Sequence, residues 1–297
     1  MKAITQIEQS LAAAVASGEA PDCPPKLAGA IRHAVFPGGA RIRPQLCLAV
    51  AHACGNDDPA LADAAAVAIE LLHCASLVHD DLPCFDNAQT RRGRASVHWA
   101  YGESLAVLAG DALIVLAFQT LAAAGGQSPH RMAAVLGTVA KGVGMPYGIV
   151  AGQAWESESR VSLVEYQRAK TGALFVAATA GGAQAAGADP AAWRALGEWL
   201  GEAYQVADDI RDVAADPQWL GKPVGQDVAL GRPSAAAELG LGGAIEHFKH
   251  LIANASASIP ECHGAAQLRA LVQMESERLV PMAMSDALRM AVPSAVA

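Results

Sequence analysis

Long apolar runs separated by short polar breaks dominate this chain and predict a helical protein. Proline and glycine clusters bound the runs at helix-length spacing, whereas the alternation of apolar and polar residues that is typical of strands is nearly absent. The pattern predicts helices over residues 24–37, 60–80, 102–126, 129–141, 162–185 and 190–212, a polar loop over 216–233, and further helix after 234. We therefore expect an all-α fold, with residues 1–297 forming a single-domain bundle of long helices around a central cavity.

Composition and charge narrow the possible partners and location. Apolar residues make up 53% of the chain and charged residues 17%, which suits a large helical core. The net charge of −8 argues against a nucleic-acid partner. The six cysteines lack metal-ligand spacing, and we interpret them as reduced thiols, mostly in the core of a cytoplasmic protein. Residues 1–10 lack the apolar segment of a signal peptide, and residues 171–188 fit a buried helix better than a membrane span.

Two acidic clusters carry the candidate chemistry, one after the predicted helix 60–80 and one near the end of helix 190–212. Asp80, Asp81 and Asp86 form the first cluster, and Asp208, Asp209 and Asp212 form the second. Carboxylates beside an apolar helix repel one another and lose hydration. A hard divalent cation such as Mg²⁺ compensates this charge well, and it also binds phosphate oxygens. Basic residues follow each cluster, so a phosphorylated ligand held from both sides is expected.

A polar stripe leads along each helix to its acidic cluster. Glu70, His73 and Asp80 are three and seven residues apart and therefore share one helical face. On the second helix, Gln205, Asp209 and Asp212 share a face in the same way. Both sets point into one cavity if the two helices face each other in the bundle.

Six ordered motifs resemble those of the trans-isoprenyl diphosphate synthases, the family of farnesyl and geranylgeranyl diphosphate synthases. They occupy residues 38–44, 79–93, 152–153, 170–174, 204–212 and 221–223. The resemblance implies the isoprenoid synthase fold and a Mg²⁺-dependent, 1'-4 head-to-tail, trans condensation of isopentenyl diphosphate with an allylic diphosphate. In that reaction the allylic diphosphate ionises and the double bond of isopentenyl diphosphate attacks the cation, so no protein nucleophile is required.

The resemblance also implies roles for individual residues and an oligomeric state. Mg²⁺ would be held by Asp80, Asp81 and Asp86 on one wall and by Asp208 and Asp212 on the other. The allylic diphosphate would be bound by Arg91, Lys170 and Lys222 and placed by Thr171 and Gln205, while isopentenyl diphosphate would be bound by Arg43, His73 and Arg92. The predicted catalytic set is Asp80, Asp81, Asp86, Asp208, Lys170 and Arg91. Members of the family usually form homodimers, and a homodimer is expected here.

Three positions depart from the family pattern. Ala40 stands where the family usually has a lysine, so either Arg41 or another group supplies that cation, or affinity for isopentenyl diphosphate is lower. Asn87 stands where many relatives carry a further aspartate, and it is not expected to bind metal. Glu156 replaces the acid expected after residues 152–153.

Small residues below the first aspartates predict a long product. In relatives that make farnesyl diphosphate, an aromatic residue four or five positions before the first aspartate closes the product pocket. Ala75 and Ser76 occupy these positions here, which predicts a deeper pocket and a twenty-carbon geranylgeranyl product. Leu72 and residues 107–116 are the next candidates for the pocket floor. Farnesyl diphosphate is the alternative product.

Two other functions remain as alternatives. A class I terpene cyclase shares the first aspartate motif, but the pattern at 208–212 and the isopentenyl-binding residues argue against it. A catalytically weak regulatory subunit is suggested by Ala40 and Asn87, although the intact aspartate motifs oppose it. A zinc site is not expected, because the histidines and cysteines at positions 73, 74, 79 and 84 fit no standard ligand spacing.

Overall fold

The computed structural model describes residues 2–36, 38–159, 162–214 and 234–280, and its regular structure is almost entirely helical. The helices are α1 (Lys2–Ser17), α2 (Pro25–Val35), α3 (Ile42–Ala53), α4 (Pro59–Asp80), α5 (Val97–Tyr101), α6 (Glu103–Ala123), α7 (Pro129–Val143), α8 (Ile149–Ala154), α9 (Leu163–Gln167), α10 (Ala173–Ala185), α11 (Arg194–Ala214), α12 (Ala235–Ala257) and α13 (Ala265–Leu279). Short 3₁₀ turns cover Trp155–Ser157 and Pro190–Trp193, and a π turn covers Arg168–Gly172. Strands β1 (Thr90–Arg91) and β2 (Arg94–Ala95) pair as an antiparallel hairpin. The all-α prediction is confirmed.

Helix α4 is the central helix of the bundle. Asp58 caps its first turn by accepting a hydrogen bond from the backbone N–H of Leu61, and Pro59 stands at its first position, where no amide partner is required. Most of its side chains are buried, and it packs against α3, α6 and α10. A helix that is apolar nearly all round belongs in the middle of a bundle, so α4 holds its C-terminal aspartates in a fixed position.

Several boundaries differ from the sequence-based expectation. The helix predicted over 162–185 is divided into α9, a π turn and α10. Helix α1 was not predicted, although its buried positions Ile7, Leu11 and Val15 have the four-residue spacing of an amphipathic helix. Strands β1 and β2 are two residues long, too short to produce an alternating pattern. Lys222 and the motif at 221–223 lie outside the described residues.

The cysteines differ among themselves in burial, and so do the two most apolar helices. Cys47 and Cys74 are buried in the core, and the half-buried Cys54 and Cys262 pack against it, so most of the cysteines belong to the core as predicted; Cys23 is half-buried and Cys84 is exposed. Helices α4 and α6 are each long and apolar enough to cross a membrane by length and composition alone. Of the most apolar 18-residue stretch of each helix, 83% is buried in α4 but only 39% in α6. Helix α6 therefore presents an apolar surface to the outside.

Candidate active site

The first acidic cluster is assembled at the C-terminal end of α4. Asp80 is the last residue of the helix, and Asp81 follows it as the C-cap. The next loop folds back on the helix end, since the backbone N–H of Asp86 donates to the carbonyl of Asp80 at 2.9 Å and the N–H of Ala88 donates to that of Asp81 at 3.1 Å. Asp80 and Asp81 are both buried. These backbone contacts bring Asp86 back toward the two aspartates at the end of the helix.

Basic residues from two other elements reach this cluster. Arg91 of β1 donates to Asp81, with its Nε 2.9 Å from Oδ1. The Nζ of Lys170, in the π turn, lies 3.4 Å from Oδ2 of Asp80. The predicted allylic diphosphate ligands Arg91 and Lys170 thus stand directly beside the predicted metal ligands.

Glu156 and Gln153 support this arrangement, although the sequence analysis gave neither residue a role in the site. The Nζ of Lys170 lies 2.5 Å from Oε1 of Glu156, which also accepts a hydrogen bond from the hydroxyl of Tyr166 at 2.6 Å. The side-chain amide of Gln153 donates to the carbonyl of Ser76 at 3.0 Å and to Oδ1 of Asp80 at 3.3 Å. Residues 152–153 and the acid at 156 were recognisable as motif positions. Their spacing in the sequence does not reveal that Gln153 contacts Asp80 or that Glu156 contacts Lys170.

The π turn approaches α8 and α11 very closely. A Cβ atom at Gly152 would lie 2.3 Å from the backbone nitrogen of Lys170, and one at Gly201 would lie 2.6 Å from the Cα of Gly172. Larger residues at Gly152 or Gly201 would push the turn away. Glycine at these positions therefore fixes where the Lys170 side chain enters the site.

The second acidic cluster lies in the last turns of α11. Thr171 donates to Oε1 of Gln205 at 3.1 Å, and the amide of Gln205 donates to Oδ1 of Asp209 at 3.0 Å. Asp209 also accepts from the backbone N–H of Ala235 at 2.8 Å, so it holds the start of α12. Asp208 is half-buried and pairs with Arg211 at 3.0 Å.

Adjacent residues of the π turn connect the two clusters. Lys170 contacts Asp80 at the end of α4, and Thr171 contacts Gln205 on α11. Neighbouring residues of one turn therefore contact the helices that carry the two predicted acidic walls. A π turn inserts an extra residue into a helix and commonly marks a functional site.

The surroundings of Asp80 and Asp81 shift the pKa values of their carboxyl groups. Burial raises the pKa of Asp80, and Asp86 and Glu156 add to this effect while Lys170 opposes it. Burial also raises the pKa of Asp81, opposed by its hydrogen bonds from Arg91. Although burial disfavours the charged form of Lys170, Asp80, Tyr166 and Glu156 together raise its pKa. The site therefore concentrates negative charge that an added cation would relieve.

The donor atoms fit magnesium. The cluster offers carboxylate oxygens, the ligand type that Mg²⁺ prefers. Within the described ranges, no group of three or more His, Cys, Asp or Glu side chains is placed to hold a metal ion. Mg²⁺ commonly takes one or two carboxylates and completes its octahedron with water and phosphate oxygens. The residues present fit that mode of binding better than an all-protein cage.

We expect Asp80→Asn to raise the thermal unfolding midpoint of the metal-free chain by a few degrees at neutral pH. Folding raises the pKa of Asp80, so the ionised carboxylate destabilises the fold at all pH values above its ordinary pKa range. The asparagine side chain keeps the shape and removes that charge. Calorimetry in the presence of a chelator measures the midpoint. A lower midpoint would instead show that the ion pair with Lys170 outweighs the cost of burial.

Three predicted isopentenyl diphosphate ligands also converge. Arg43 is buried in the first turn of α3, and His73 is half-buried on α4 with an Nδ1 atom that has no hydrogen-bond partner among the described residues. Burial lowers the pKa of His73 well below its ordinary value, and the neighbouring Arg43 and Arg92 lower it further. Arg92 lies 3.8 Å from Oε1 of Glu70. Two guanidinium groups and a neutral imidazole thus share one region beside the first cluster.

Arg41 does not take the place of the missing lysine at position 40. Its guanidinium is almost fully buried and donates to Glu8 at 2.8 Å, to the carbonyl of Val35 at 2.7 Å and to Glu70 at 2.5 Å. This ion-pair network ties α1 and α2 to α4. Removing one partner of a buried ion pair is strongly destabilising, so Arg41 serves the fold and is not available to a substrate.

The predicted chain-length residues lie on the buried side of α4. Ala75 is 1% exposed and Ser76 is 8% exposed. Helices α4 and α6 run antiparallel. A Cβ atom at Gly110 of α6 would meet His79 near the C-terminal end of α4. Val67 of α4 and Thr120 of α6 line one groove farther toward the N-terminal end of α4. This antiparallel register puts Leu113, within the predicted floor segment 107–116, near the level of Ser76. That groove, about 580 Å³ in volume, lies between α1, α4 and α6 and contains no predicted site residue.

The helical bundle carries two carboxylate clusters, a lysine–threonine turn between them, and arginines alongside. This is the architecture of an enzyme that acts on diphosphates. The model of the polyprenyl synthetase family matches residues 24–267. The chain therefore belongs to the polyprenyl synthetase family, as the motifs predicted.

Known proteins with this similarity include both product classes. A geranylgeranyl diphosphate synthase of Cereibacter sphaeroides is 55% identical over 276 residues, which cover 93% of this chain and 96% of that protein. A farnesyl diphosphate synthase of Geobacillus stearothermophilus is 40% identical over 234 residues, covering 75% and 78%. A crystal structure of a geranyltransferase from Helicobacter pylori, complexed with magnesium and isoprenyl diphosphate, matches with a TM-score of 0.73 and 28% identity over 96% of each chain.

Proposed function

We propose that this chain is a magnesium-dependent prenyltransferase that condenses isopentenyl diphosphate with an allylic diphosphate, 1'-4 and trans, to make geranylgeranyl diphosphate. The observation that carries the proposal is the double contact of the π turn, with Lys170 at Asp80 and Thr171 at Gln205. This double contact supports a single site formed by both acidic clusters. The basic groups beside them supply the charge that a diphosphate requires.

The acidic residues of the site would bind the metal, and the basic residues would bind the phosphate oxygens. Magnesium would be held by Asp80, Asp81, Asp86, Asp208 and Asp212, and when bound it supplies Lewis-acid stabilisation to a departing diphosphate. Lys170 and Arg91 now pair with the aspartates, and they would turn to the phosphate oxygens once metal neutralises those acids. Because these cations are largely buried, their interaction with the leaving group is stronger than it would be in water.

The second diphosphate would bind at Arg43, Arg92 and His73. Neutral His73 can donate a hydrogen bond without adding charge, and the guanidinium groups match phosphate oxygens in pairs. Their position beside the first cluster would place the double bond of isopentenyl diphosphate next to the ionising allylic carbon. Holding two reactants in this way removes much of the entropic barrier to their reaction.

The geranylgeranyl product is supported by two observations. Ala75 and Ser76 leave no aromatic side chain at the first level below the aspartates, and the relative with 55% identity is named a geranylgeranyl diphosphate synthase. Farnesyl diphosphate remains the alternative, since a relative with 40% identity is named for it.

Labelled isopentenyl diphosphate, supplied with the five-, ten- or fifteen-carbon allylic primer in turn, tests the proposal. We expect incorporation into a twenty-carbon product, complete loss of incorporation with a chelator, and recovery on adding Mg²⁺ without any need for Zn²⁺. Chromatography of the dephosphorylated products measures chain length. Conversion of the primer without uptake of label would indicate a cyclase, and no conversion of any primer would indicate a regulatory subunit.

A homodimer formed through α6 is part of the proposal. Val107, Leu108 and Val115 are 42%, 50% and 56% exposed on the outer side of this helix. Self-association would bury this apolar surface, and a symmetric pair of identical patches is the commonest arrangement of soluble oligomers.

We expect the double substitution Leu108→Glu and Val115→Glu to convert the dimer to a monomer, because it places charge in the proposed apolar interface. Sedimentation velocity measures the change. Leu239→Glu on α12, where the leucine is 52% exposed, is the matched control and should remain dimeric. A parent chain that sediments as a monomer would contradict the dimer.

A further inference from the structure

The guanidinium of Arg43 is buried. The residue is 7% exposed, and its Nε has no hydrogen-bond partner within the described part of the chain. No carboxylate of the described residues lies within salt-bridge distance of it, in contrast to Arg41 two positions earlier, which has two. Burial lowers the pKa of Arg43. A buried, unpaired cation is costly, so another group must compensate the charge in the absence of ligand.

Two aromatic rings provide this compensation. The Cζ atom of Arg43 lies 4.5 Å from the ring centroid of Phe175 on α10 and 5.5 Å from that of Tyr204 on α11. The ring centroids are 5.4 Å apart and the ring planes are inclined by 45°. The electron-rich face of an aromatic ring attracts a guanidinium without consuming its N–H donors. Arg43 is therefore held in place with its donors still available to an anion.

Tyr204 also connects Arg43 to the second acidic cluster. The Cζ atom of Arg211 lies 5.9 Å from the Tyr204 ring centroid, and Arg211 pairs with Asp208 at 3.0 Å. One ring thus lies close to a cation predicted to bind isopentenyl diphosphate and to a cation paired with a predicted metal ligand. A change in the position of this ring would shift the two sites relative to each other.

We propose that Phe175 and Tyr204 are positioning residues of the isopentenyl diphosphate site: their rings hold the Arg43 guanidinium, desolvated and oriented, for the diphosphate of that substrate. This inference rests on the proposed function. The effect of each ring would pass through Arg43, the cation that both rings contact. The pair therefore determines affinity for one of the two substrates.

Steady-state kinetics of Phe175→Leu and Tyr204→Leu test the proposal. Each substitution is expected to raise KM for isopentenyl diphosphate about thirtyfold, the effect of losing one desolvated cation–π contact. KM for the allylic substrate should change much less. Tyr204→Phe retains the ring and should restore a low KM. Phe118→Leu, which removes a partly buried ring on α6, is the matched control for lost packing and should not raise this KM.

A change in ring electronics at constant shape separates positioning from packing. Pentafluorophenylalanine at position 175 keeps the ring but reverses the sign of its quadrupole, so it should repel the guanidinium. We expect a raised KM for isopentenyl diphosphate without the loss of thermal stability that truncation causes. An unchanged KM in this variant and in both leucine variants would overturn the inference. A parent chain that consumes no isopentenyl diphosphate would instead refute the proposed function.

Discussion

Asp80→Ala and Asp208→Ala are each expected to lower turnover by about 100- to 1,000-fold, the usual effect of losing a group that stabilises developing charge. Asp80 lies at the end of α4 beside Lys170, and Asp208 lies on α11 beside Arg211. Each substitution removes a carboxylate from a different wall of the site. Loss of either wall would leave the departing diphosphate without one of its metal contacts.

Turnover should be measured with saturating substrates over a range of Mg²⁺ concentrations, because a weakened metal site also raises the metal requirement. Glu198→Ala is the matched control. Glu198 lies on α11 like Asp208, is exposed, and pairs with Arg194 one turn away. Circular dichroism shows whether each variant is folded. Near-normal turnover in a folded Asp80→Ala or Asp208→Ala variant at low Mg²⁺ would contradict the assignment of that residue to the metal.

Ala75→Phe is expected to shorten the main product from twenty carbons to fifteen. Ala75 lies between one and two turns below Asp80 on the buried side of α4. A phenyl ring there would occupy the space that the last isoprene unit requires, so the growing chain would be released earlier. Chromatography of products made from labelled isopentenyl diphosphate measures the change.

The size of the new side chain, and not the loss of alanine, should determine the result. Ala75→Ser introduces the residue type already present at position 76 and should keep the twenty-carbon product. Inserting a ring into a packed core costs about 1–3 kcal/mol, so thermal unfolding of Ala75→Phe should be measured alongside the products. An active, folded Ala75→Phe variant with an unchanged product would show that the chain grows along another path.

The acidic clusters illustrate how far sequence reasoning reached. Asp80, Asp81 and Asp86 were assigned to one wall, and the structure places them together at the end of one helix. Their neighbours were harder to assign. Glu156 was recognised as a departure from the family pattern, but its contact with Lys170 depends on how α8 packs against the π turn. Arg41 was a candidate for the missing cation, and its burial beside Glu8 and Glu70 depends on α1, a helix that the pattern did not predict.

The sequence by itself determined the fold class and the family, and it predicted the residues of the two acidic walls. Helix-length apolar runs and closely spaced motifs are local properties, and neighbours along the chain are sufficient to define them. Only the tertiary structure decided which cation each carboxylate contacts, which arginine serves the fold and which remains open to a ligand. Those contacts join residues far apart in the chain, and they depend on the packing and register of whole helices, which local spacing does not specify.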